Sequence, residues 1–231
     1  MKYKYSIVIP CFNEENSVFK VVNTICIKFP NILVVVVDDG STDNSYLELQ
    51  KIESKNLNLF KNENNYGKGY SIRKGLENIK NKSDIVIFTD ADEEINIDDI
   101  SKLISLYEKF DYDAVFGSRF LKMKFSEKVK MGFHRYLANI LLTKLSNLRL
   151  NQNLTDMETA LKSFKTKYVN KLNLQSDRFE IEPEIVKGLS NLNIKIMEVP
   201  VSYNPRSIKE GKKISFKDGI KALIYLINLK Q

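Results

Sequence analysis

The feature that most constrains the fold of this chain is the alternation, in its first half, of short apolar runs with segments of helical periodicity. Continuous apolar strands that are separated by helices are typical of a parallel sheet with both faces covered. We therefore predict an α/β fold with a mostly parallel central sheet and helices on both of its faces. The predicted strands are Tyr5–Pro10, Ile32–Val37, Leu57–Phe60, Asp84–Phe88 and Asp113–Gly117, and the predicted helices are Ser17–Phe29, Ser45–Ser54, Lys68–Ile79 and Ile97–Phe110.

The second half of the chain is less regular, but it contains neither an internal repeat nor a linker-like stretch. We therefore expect residues 1–231 to form one domain that ends in a C-terminal amphipathic helix. The predicted elements are a long helix with a basic start (Ser126–Asn147), a strand (Thr159–Phe164), a helix that begins after Phe179, a strand (Ile194–Tyr203) and the terminal helix (Phe216–Leu229).

Charge and composition narrow the classes of function. The 36 basic and 29 acidic residues give a net charge of +7, and the basic surplus lies mostly in Lys122–Arg135 and Arg206–Lys221. A localised surplus suits a phosphate-bearing ligand or an anionic membrane better than nucleic acid. Two cysteines and one histidine are too few for a disulfide framework, a zinc site or a histidine-based triad.

The sequence shows no signal peptide, and no apolar stretch reaches the roughly 20 residues of a membrane span. We therefore expect a cytoplasmic protein whose contact with a membrane, at its cytoplasmic face, is peripheral.

Polar clusters follow the predicted strands, where parallel sheets bind their ligands. The strongest of these clusters reads TDADEE and places Asp90 and Asp92 on either side of Ala91. Two carboxylates about 4 Å apart repel by roughly 4 kcal/mol at an effective dielectric constant of about 20. A hard cation such as Mg²⁺ or Mn²⁺, bridging to phosphate oxygens, would reverse that repulsion. The simpler interpretation, a solvated acidic loop, suits Glu93 best.

Other charged residues complete the predicted site. VDDGSTD places Asp38 and Asp39 at a strand end, where one of the two can reach a base or ribose, and Lys68 begins a helix after a glycine, where anions bind well. A dinucleotide fingerprint fails there because Ile72 stands where the third glycine is needed. The acids Asp156 and Glu158, together with those between Glu180 and Glu184, are open candidates for a general base.

Seven motifs follow one another along the chain, and the ordered set is far more specific than any one of them. They read IPCFNEE, VDDGSTD, GKGYSIRKG, TDADEE, GSRF, DMETALKSF and VPVSYNPRSIKEGKKISFKDG. With these motifs the chain resembles the glycosyltransferases of family 2 with the GT-A fold, in particular the dolichyl- and polyprenyl-phosphate sugar transferases. The resemblance runs from Tyr5 to about Gly219, which is nearly the whole chain.

The resemblance implies a role for each matched residue. The nucleoside would be framed by Pro10, Phe12, Glu14, Val37 and Asp39. The diphosphate, with Mg²⁺ or Mn²⁺, would be held by Asp90, Ala91 and Asp92, with Glu94 as a further metal ligand. Phosphate groups of the donor or the acceptor would be bound by Arg119, Arg206 and Lys212.

The resemblance also implies transfer with inversion from a UDP- or GDP-sugar to a polyprenyl phosphate. The basic and apolar segment 121–142 favours this lipid acceptor, and the helix Phe216–Leu229 is expected to lie on the bilayer. Asp156, Glu158 and Arg119 are the candidate catalytic residues. An ionised lipid phosphate is already a nucleophile, whereas a saccharide hydroxyl would need Asp156 or Glu158 as a base.

Two alternatives stay open at this point. The same donor chemistry could serve a saccharide acceptor in surface-polysaccharide synthesis, or the chain could bind nucleotide sugars without catalysing transfer. A sugar nucleotidyltransferase is disfavoured because IPCFNEE lacks the glycine-rich first loop of that class.

Overall fold

The computed structural model describes residues 1–206 and 216–229 of the chain. Its strands are β1 (Tyr5–Cys11), β2 (Leu33–Asp38), β3 (Leu57–Lys61), β4 (Ile85–Phe88), β5 (Ala114–Ser118), β6 (Lys162–Lys165) and β7 (Ile196–Pro200). Its helices are α1 (Val18–Lys28), α2 (Ser45–Gln50), α3 (Lys68–Ile79), α4 (Asp98–Lys109), α5 (Phe125–Met131), α6 (Phe133–Leu150), α7 (Val169–Leu172), α8 (Ile181–Asn191) and α9 (Phe216–Ile227), with a short 3₁₀ turn at Thr166–Tyr168.

The strands form one sheet in the order β3-β2-β1-β4-β6-β5-β7. All neighbouring strands are parallel except that β6 runs antiparallel to both β4 and β5. The prediction of a mostly parallel sheet is thus confirmed. Because β6 is reversed, its amino end at Lys162 lies beside Phe88 and Phe116, near the carboxyl ends of the two flanking strands. The segment that enters β6, with Asp156 and Glu158, therefore lies at the same edge as the strand-end clusters.

Helices cover both faces of the sheet, as predicted. Successive residues of a strand point to opposite faces, so Val8 of β1 packs with Ile72 on the side of α3, α6 and α8. Its neighbour Ile9 packs with Val22 and Leu103 on the side of α1 and α4. The two hydrophobic cores hold the strand ends rigidly, which fixes the loops that follow them.

The predicted long helix Ser126–Asn147 is wrong in one respect, since two helices, α5 and α6, occupy this segment. They meet at Gly132, whose φ of +91° lies in a region that glycine enters without the steric cost of a Cβ. A binary pattern of apolar and polar residues does not reveal such a break, because both helices keep the same apolar spacing across it.

None of the helices within residues 1–206 and 216–229 combines the length and the hydropathy that a membrane span requires.

Candidate active site at the carboxyl edge of the sheet

A cleft of about 430 Å³ opens at the carboxyl ends of the central strands. Residues from five sequence motifs converge there, although they lie up to about 200 positions apart. The predicted site residues that line the cleft are Pro10, Phe12, Glu14, Asp39, Lys68, Asp90, Ala91, Asp92, Glu94 and Arg206.

Other predicted site residues lie elsewhere. The Val37 side chain is fully buried in the core on the α3 side of the sheet and does not line the cleft. Arg119, Asp156 and Glu158 form a second cluster behind the cleft. Lys212 lies outside the described residues.

Two lysines and two acids form an ionic chain on one wall of the cleft. The Nζ atom of Lys68 lies 2.7 Å from Oδ1 of Asp90 and 2.9 Å from Oε1 of Glu182. Glu182, near the start of α8, also pairs with the buried Lys162 of β6. Burial alone would lower the pKa of Lys68, but Asp90 and Glu182 outweigh it and raise that pKa above its usual value. Lys68 therefore carries a fixed positive charge at the cleft.

Arg206 closes the opposite wall of the cleft. Its guanidinium donates hydrogen bonds to both carboxylate oxygens of Glu14, at 2.8 and 3.0 Å, and to Oδ2 of Asp92 at 2.9 Å. Its backbone N–H donates to Oε1 of Glu94 at 2.7 Å. Burial and the nearby carboxylates of Asp90 and Glu94 raise the pKa of Asp92 to about 7, although Arg206 opposes them. The carboxylate of Asp92 therefore takes up a proton more readily than a free aspartate does.

Asp39 is held by the loop that precedes α3. Its carboxylate accepts hydrogen bonds from the backbone N–H of Gly67 at 2.7 Å, from the side chain of Asn62 at 2.7 Å and from the N–H of Tyr66 at 3.2 Å. A charge-assisted network of this kind fixes the position of an acid that lines the cleft.

The glycines of the GKG motif allow a close approach of two backbone segments. A Cβ on Gly67 or Gly69 would collide with the backbone of Ser176 and Asp177, and Tyr70 N–H donates to the carbonyl of Asp177 at 3.0 Å. The N–H of Gly67 is engaged by the carboxylate of Asp39, and Gly67 and Lys68 both line the cleft. The anion site at this helix start stays a prediction.

The second cluster is built around Arg119, which follows β5. Its Nε and Nη2 atoms each donate to an oxygen of Asp156 at 2.7 Å, and its backbone N–H donates to Oδ2 at 3.0 Å. Glu198 of β7 in turn accepts hydrogen bonds from the N–H groups of Thr155 and Asp156, at 2.7 and 3.0 Å. Asp156 is thus an anchor for Arg119, with both of its carboxylate oxygens already engaged.

Glu158 differs from Asp156 in its surroundings. Its Oε1 atom has no hydrogen-bond partner in the part of the chain that the structure describes. Burial and the nearby Glu182 raise the pKa of Glu158 to about 7, with Lys162 and Arg119 opposing. Of the two predicted base candidates, Glu158 therefore has the oxygen that can accept a proton.

Tyr203 connects the two clusters. The Arg119 guanidinium lies 5.2 Å from the centre of the Tyr203 ring, and the Tyr203 hydroxyl donates to Oε2 of Glu94 at 3.1 Å. Tyr203 therefore contacts both Arg119 and the acidic residue Glu94.

Sequence reasoning missed several residues of the site. Asn65, Arg178, Phe179 and Asp218 line the cleft, and the Lys162–Glu182 pair supports it. Arg178 and Phe179 directly precede the acid-rich start of α8, and no pattern in the sequence marks them as cleft residues. Lys162 sits in the short strand-like run TALKSF, where a charged residue among apolar neighbours is a sign of a buried ion pair.

The acidic cluster (Asp90, Asp92 and Glu94) is the candidate site for a divalent metal. Within residues 1–206 and 216–229, no three acidic, histidine or cysteine side chains are arranged to enclose an ion. The donor set nevertheless consists of carboxylate oxygens, which Mg²⁺ and Mn²⁺ prefer, and its crowding is relieved by added positive charge. Asp90, Asp92 and Glu94 therefore fit the metal chemically, and they are the residues that would hold it.

Comparison with known proteins agrees with this geometry. The model of the family Glycosyl transferase family 2 matches residues 6–172. A UDP-N-acetylglucosamine–dolichyl-phosphate N-acetylglucosaminyltransferase of Methanococcus voltae is 29% identical over 244 residues, which cover 97% of this chain and 95% of that enzyme. An uncharacterized protein of Methanocaldococcus jannaschii is 30% identical over 87% of this chain and 89% of its own length.

Solved structures with the same fold are more distant in sequence. Glucosyl-3-phosphoglycerate synthase of Mycobacterium tuberculosis, in complex with Mn²⁺, UDP and phosphoglyceric acid, matches with a TM-score of 0.70 and 16% identity. The match covers 99% of this chain and 80% of that one, and it identifies the fold as GT-A. The chain is therefore a glycosyltransferase, and it belongs to glycosyl transferase family 2.

Proposed function

We propose that this glycosyltransferase transfers a sugar, with inversion, from a nucleoside-diphosphate sugar to a polyprenyl phosphate, and that it depends on Mg²⁺ or Mn²⁺. The observation that carries the proposal is the cleft in which Asp90, Asp92 and Glu94 meet Lys68 and Arg206. Acids for a cation and cations for a diphosphate are both needed to bind a nucleoside-diphosphate sugar.

The donor would lie along the cleft with its nucleoside near Pro10, Phe12 and Asp39. Its diphosphate would lie between Lys68 and Arg206, whose positive charges attract phosphate oxygens. A metal held by the acidic cluster would supply further positive charge to that diphosphate. These charges stabilise the leaving group, an electrostatic contribution that is often the largest in catalysis.

The chemical step would form one bond and break one bond at the anomeric carbon. A phosphate oxygen of the acceptor attacks from the face opposite the donor diphosphate, and the nucleoside diphosphate departs with the bonding electron pair. An ionised lipid phosphate has no proton to lose, so the reaction needs no general base. The similarity to the dolichyl-phosphate transferase of Methanococcus voltae supports this choice of acceptor.

The proposal is tested with purified protein, labelled UDP-N-acetylglucosamine, UDP-glucose and GDP-mannose, undecaprenyl phosphate, and Mg²⁺ or Mn²⁺. We expect a lipid-linked sugar with one of the donors, and no product after the metal is removed with EDTA. Transfer to a saccharide without any lipid-linked product would contradict the lipid acceptor. Metal-independent transfer would contradict the metal assignment.

A second candidate function, transfer to a saccharide hydroxyl, is favoured by one observation. Among the residues that the structure describes, none pairs with Oε1 of Glu158, and the pKa of Glu158 is raised to about 7, as a general base for a hydroxyl requires. Under this alternative, Glu158→Gln would abolish transfer and leave donor binding intact. Under the lipid-phosphate proposal, the same variant keeps most of its transfer activity.

A further inference from the structure

The helices α5 and α6 expose an unusual set of large apolar side chains. Phe125 and Val129 of α5 are 75% and 58% exposed, and Phe133 and Leu141 of α6 are 54% and 66% exposed. Single exposed apolar residues are ordinary, but a contiguous group of them marks an interaction surface.

The geometry of α6 shows that its exposed residues form one stripe. At about 100° per residue, Phe133, Leu137, Leu141 and Leu148 fall within roughly 80° of one another around the helix axis. The buried residues Leu142, Thr143, Ser146 and Leu150 fall on roughly the opposite side. The helix therefore packs on the protein with one face and presents a second apolar face outward, where a polar face is expected.

The charge around this surface is strongly biased. Residues 121–150 contain seven lysines and arginines and one acid, Glu127. The exposed Lys122, Lys124 and Lys130 lie within or just before α5. An apolar stripe flanked by cations complements an anionic bilayer, whose headgroups attract the cations while the apolar side chains enter the acyl boundary.

The neighbouring helix α9 also exposes apolar side chains. It is tied to the end of α6 by Arg149, whose Nε donates to the carbonyl of Leu226 at 3.3 Å. Ile224 and Ile227 of α9 are about half exposed, whereas Ala222 and Leu226 are buried.

We propose that the exposed apolar residues of α5 and α6, which we call the α5–α6 stripe (Phe125, Val129, Phe133, Leu137, Leu141 and Leu148), dock the protein on an anionic lipid bilayer. The inference rests on the proposed function, because a polyprenyl phosphate acceptor is anchored in a membrane. The inference goes beyond the proposed function because it assigns the contact with the bilayer to one surface. The sequence suggested the terminal helix as the part that lies on the bilayer and the segment 121–142 as a surface for the lipid acceptor, whereas the proposal assigns the bilayer contact to the α5–α6 stripe.

Vesicle flotation tests this inference with the full-length protein. Vesicles of phosphatidylcholine alone and of phosphatidylcholine with phosphatidylglycerol at about 7:3 contain neither donor nor acceptor, so the result does not depend on catalysis. We expect binding to the anionic vesicles, weaker binding to the neutral ones, and weakening by salt. The triple variant Phe125→Ser, Phe133→Ser, Leu141→Ser should bind the anionic vesicles about tenfold or more weakly.

A matched control removes three apolar side chains of similar exposure from other surfaces. Ile27→Ser, Leu47→Ser, Phe110→Ser changes residues that are each more than half exposed and lie outside α5 and α6. This control should bind vesicles as the unmodified protein does. Equal vesicle binding by the stripe variant, or equal loss in both triple variants, would overturn the proposal.

A tryptophan reporter gives a second measurement that does not depend on losing the contact. The chain contains no tryptophan, so Phe133→Trp, Leu141→Trp and Leu47→Trp each introduce a single fluorophore. With anionic vesicles, the emission should shift to the blue at positions 133 and 141 but not at position 47. An unchanged emission at positions 133 and 141 would overturn the proposal.

The remaining outcomes separate this inference from its alternatives. If the stripe bound a second copy of the chain, light scattering would show a dimer that the stripe variant abolishes, with equal vesicle binding by both proteins, and the proposal would be wrong. If the proposed function failed instead, farnesyl phosphate in detergent would receive no sugar while vesicle binding persisted.

Discussion

Asp92 and Asp156 both pair with an arginine, yet the two pairs differ in what surrounds them. Asp156 is fully buried, and both of its oxygens are held by Arg119 at 2.7 Å. Asp92 lines a cleft, where its partner Arg206 is shared with Glu14 and where burial and two further acids raise its pKa. We therefore expect the Arg119–Asp156 pair to maintain the structure. In the Arg206–Asp92 pair, we expect a ligand to be able to replace Arg206 as the partner of Asp92.

The largest expected effect comes from removing Asp156 from its buried pair with Arg119. Asp156→Ala leaves the Arg119 guanidinium buried without its counter-charge, so the free energy of unfolding should fall by about 3–5 kcal/mol. Urea denaturation measures this loss. Asp111→Ala is the control, because Asp111 is exposed and its surface pair with Lys165 should contribute far less to stability than a buried pair does. A loss of less than about 1 kcal/mol for Asp156→Ala would show that the pair is not a structural anchor.

The second prediction concerns the pair of Asp92 with Arg206 in the cleft. Asp92→Asn should lower transfer by about 100-fold or more and remove the dependence of donor binding on Mn²⁺, while the free energy of unfolding stays within about 1 kcal/mol. Thermal-shift curves with a UDP- or GDP-sugar, with and without Mn²⁺, measure the donor binding. Glu93→Gln is the matched control, because Glu93 pairs with Lys20 and does not line the cleft. If donor binding by Asp92→Asn still depended on Mn²⁺, the assignment of Asp92 as a metal ligand would be wrong.

A third, smaller effect follows from the raised pKa of Glu158. The folded protein holds this proton up to a pH of about 7, whereas the unfolded chain loses it near its ordinary value of about 4.3. The unfolded state thus binds fewer protons in between, so the contribution of Glu158 to stability is complete below about pH 4 and is lost as the pH rises through 7.

The difference in unfolding free energy between the unmodified protein and Glu158→Gln should therefore change by on the order of 2 kcal/mol between pH 5 and pH 8, in favour of the variant at pH 8. Urea denaturation at the two pH values measures it. A difference that does not change with pH would contradict the assignment of the raised pKa to Glu158.

The smallest expected effect comes from Glu198, which acts on the buried Arg119–Asp156 pair indirectly. Glu198→Gln weakens the charge-assisted hydrogen bonds that hold the backbone of Thr155 and Asp156 and should cost about 1–2 kcal/mol of stability. Transfer should fall by less than in Asp92→Asn, because the variant touches the cleft only through Arg119. Glu77→Gln on the exposed face of α3 is the control for both measurements.

Much of this arrangement could be predicted from the sequence. The apolar runs predicted all seven strands and the helices between the first five, and the polar clusters that follow several of these strands predicted a site at the carboxyl edge of the sheet. The reversed direction of β6 could not be predicted, because a short strand has the same alternation whichever way it runs. That reversal is what brings Asp156 and Glu158 to the edge that holds Asp90 and Asp92.

The sequence by itself thus determined the α/β class, the sheet edge that carries the site, and most of the residues that line the cleft. Local patterns suffice for the fold class and the sheet edge, because burial of an apolar strand forces the following polar residues to its end. The assignment of Pro10, Phe12, Glu14 and Arg206 to the site came instead from the resemblance to the family. Only the tertiary structure decided which charges meet: Lys68 with Glu182, Arg206 with Glu14, and Arg119 with Asp156. These pairs join residues 37 to 192 positions apart, and their distances depend on how helices and strands pack rather than on any local preference of the chain.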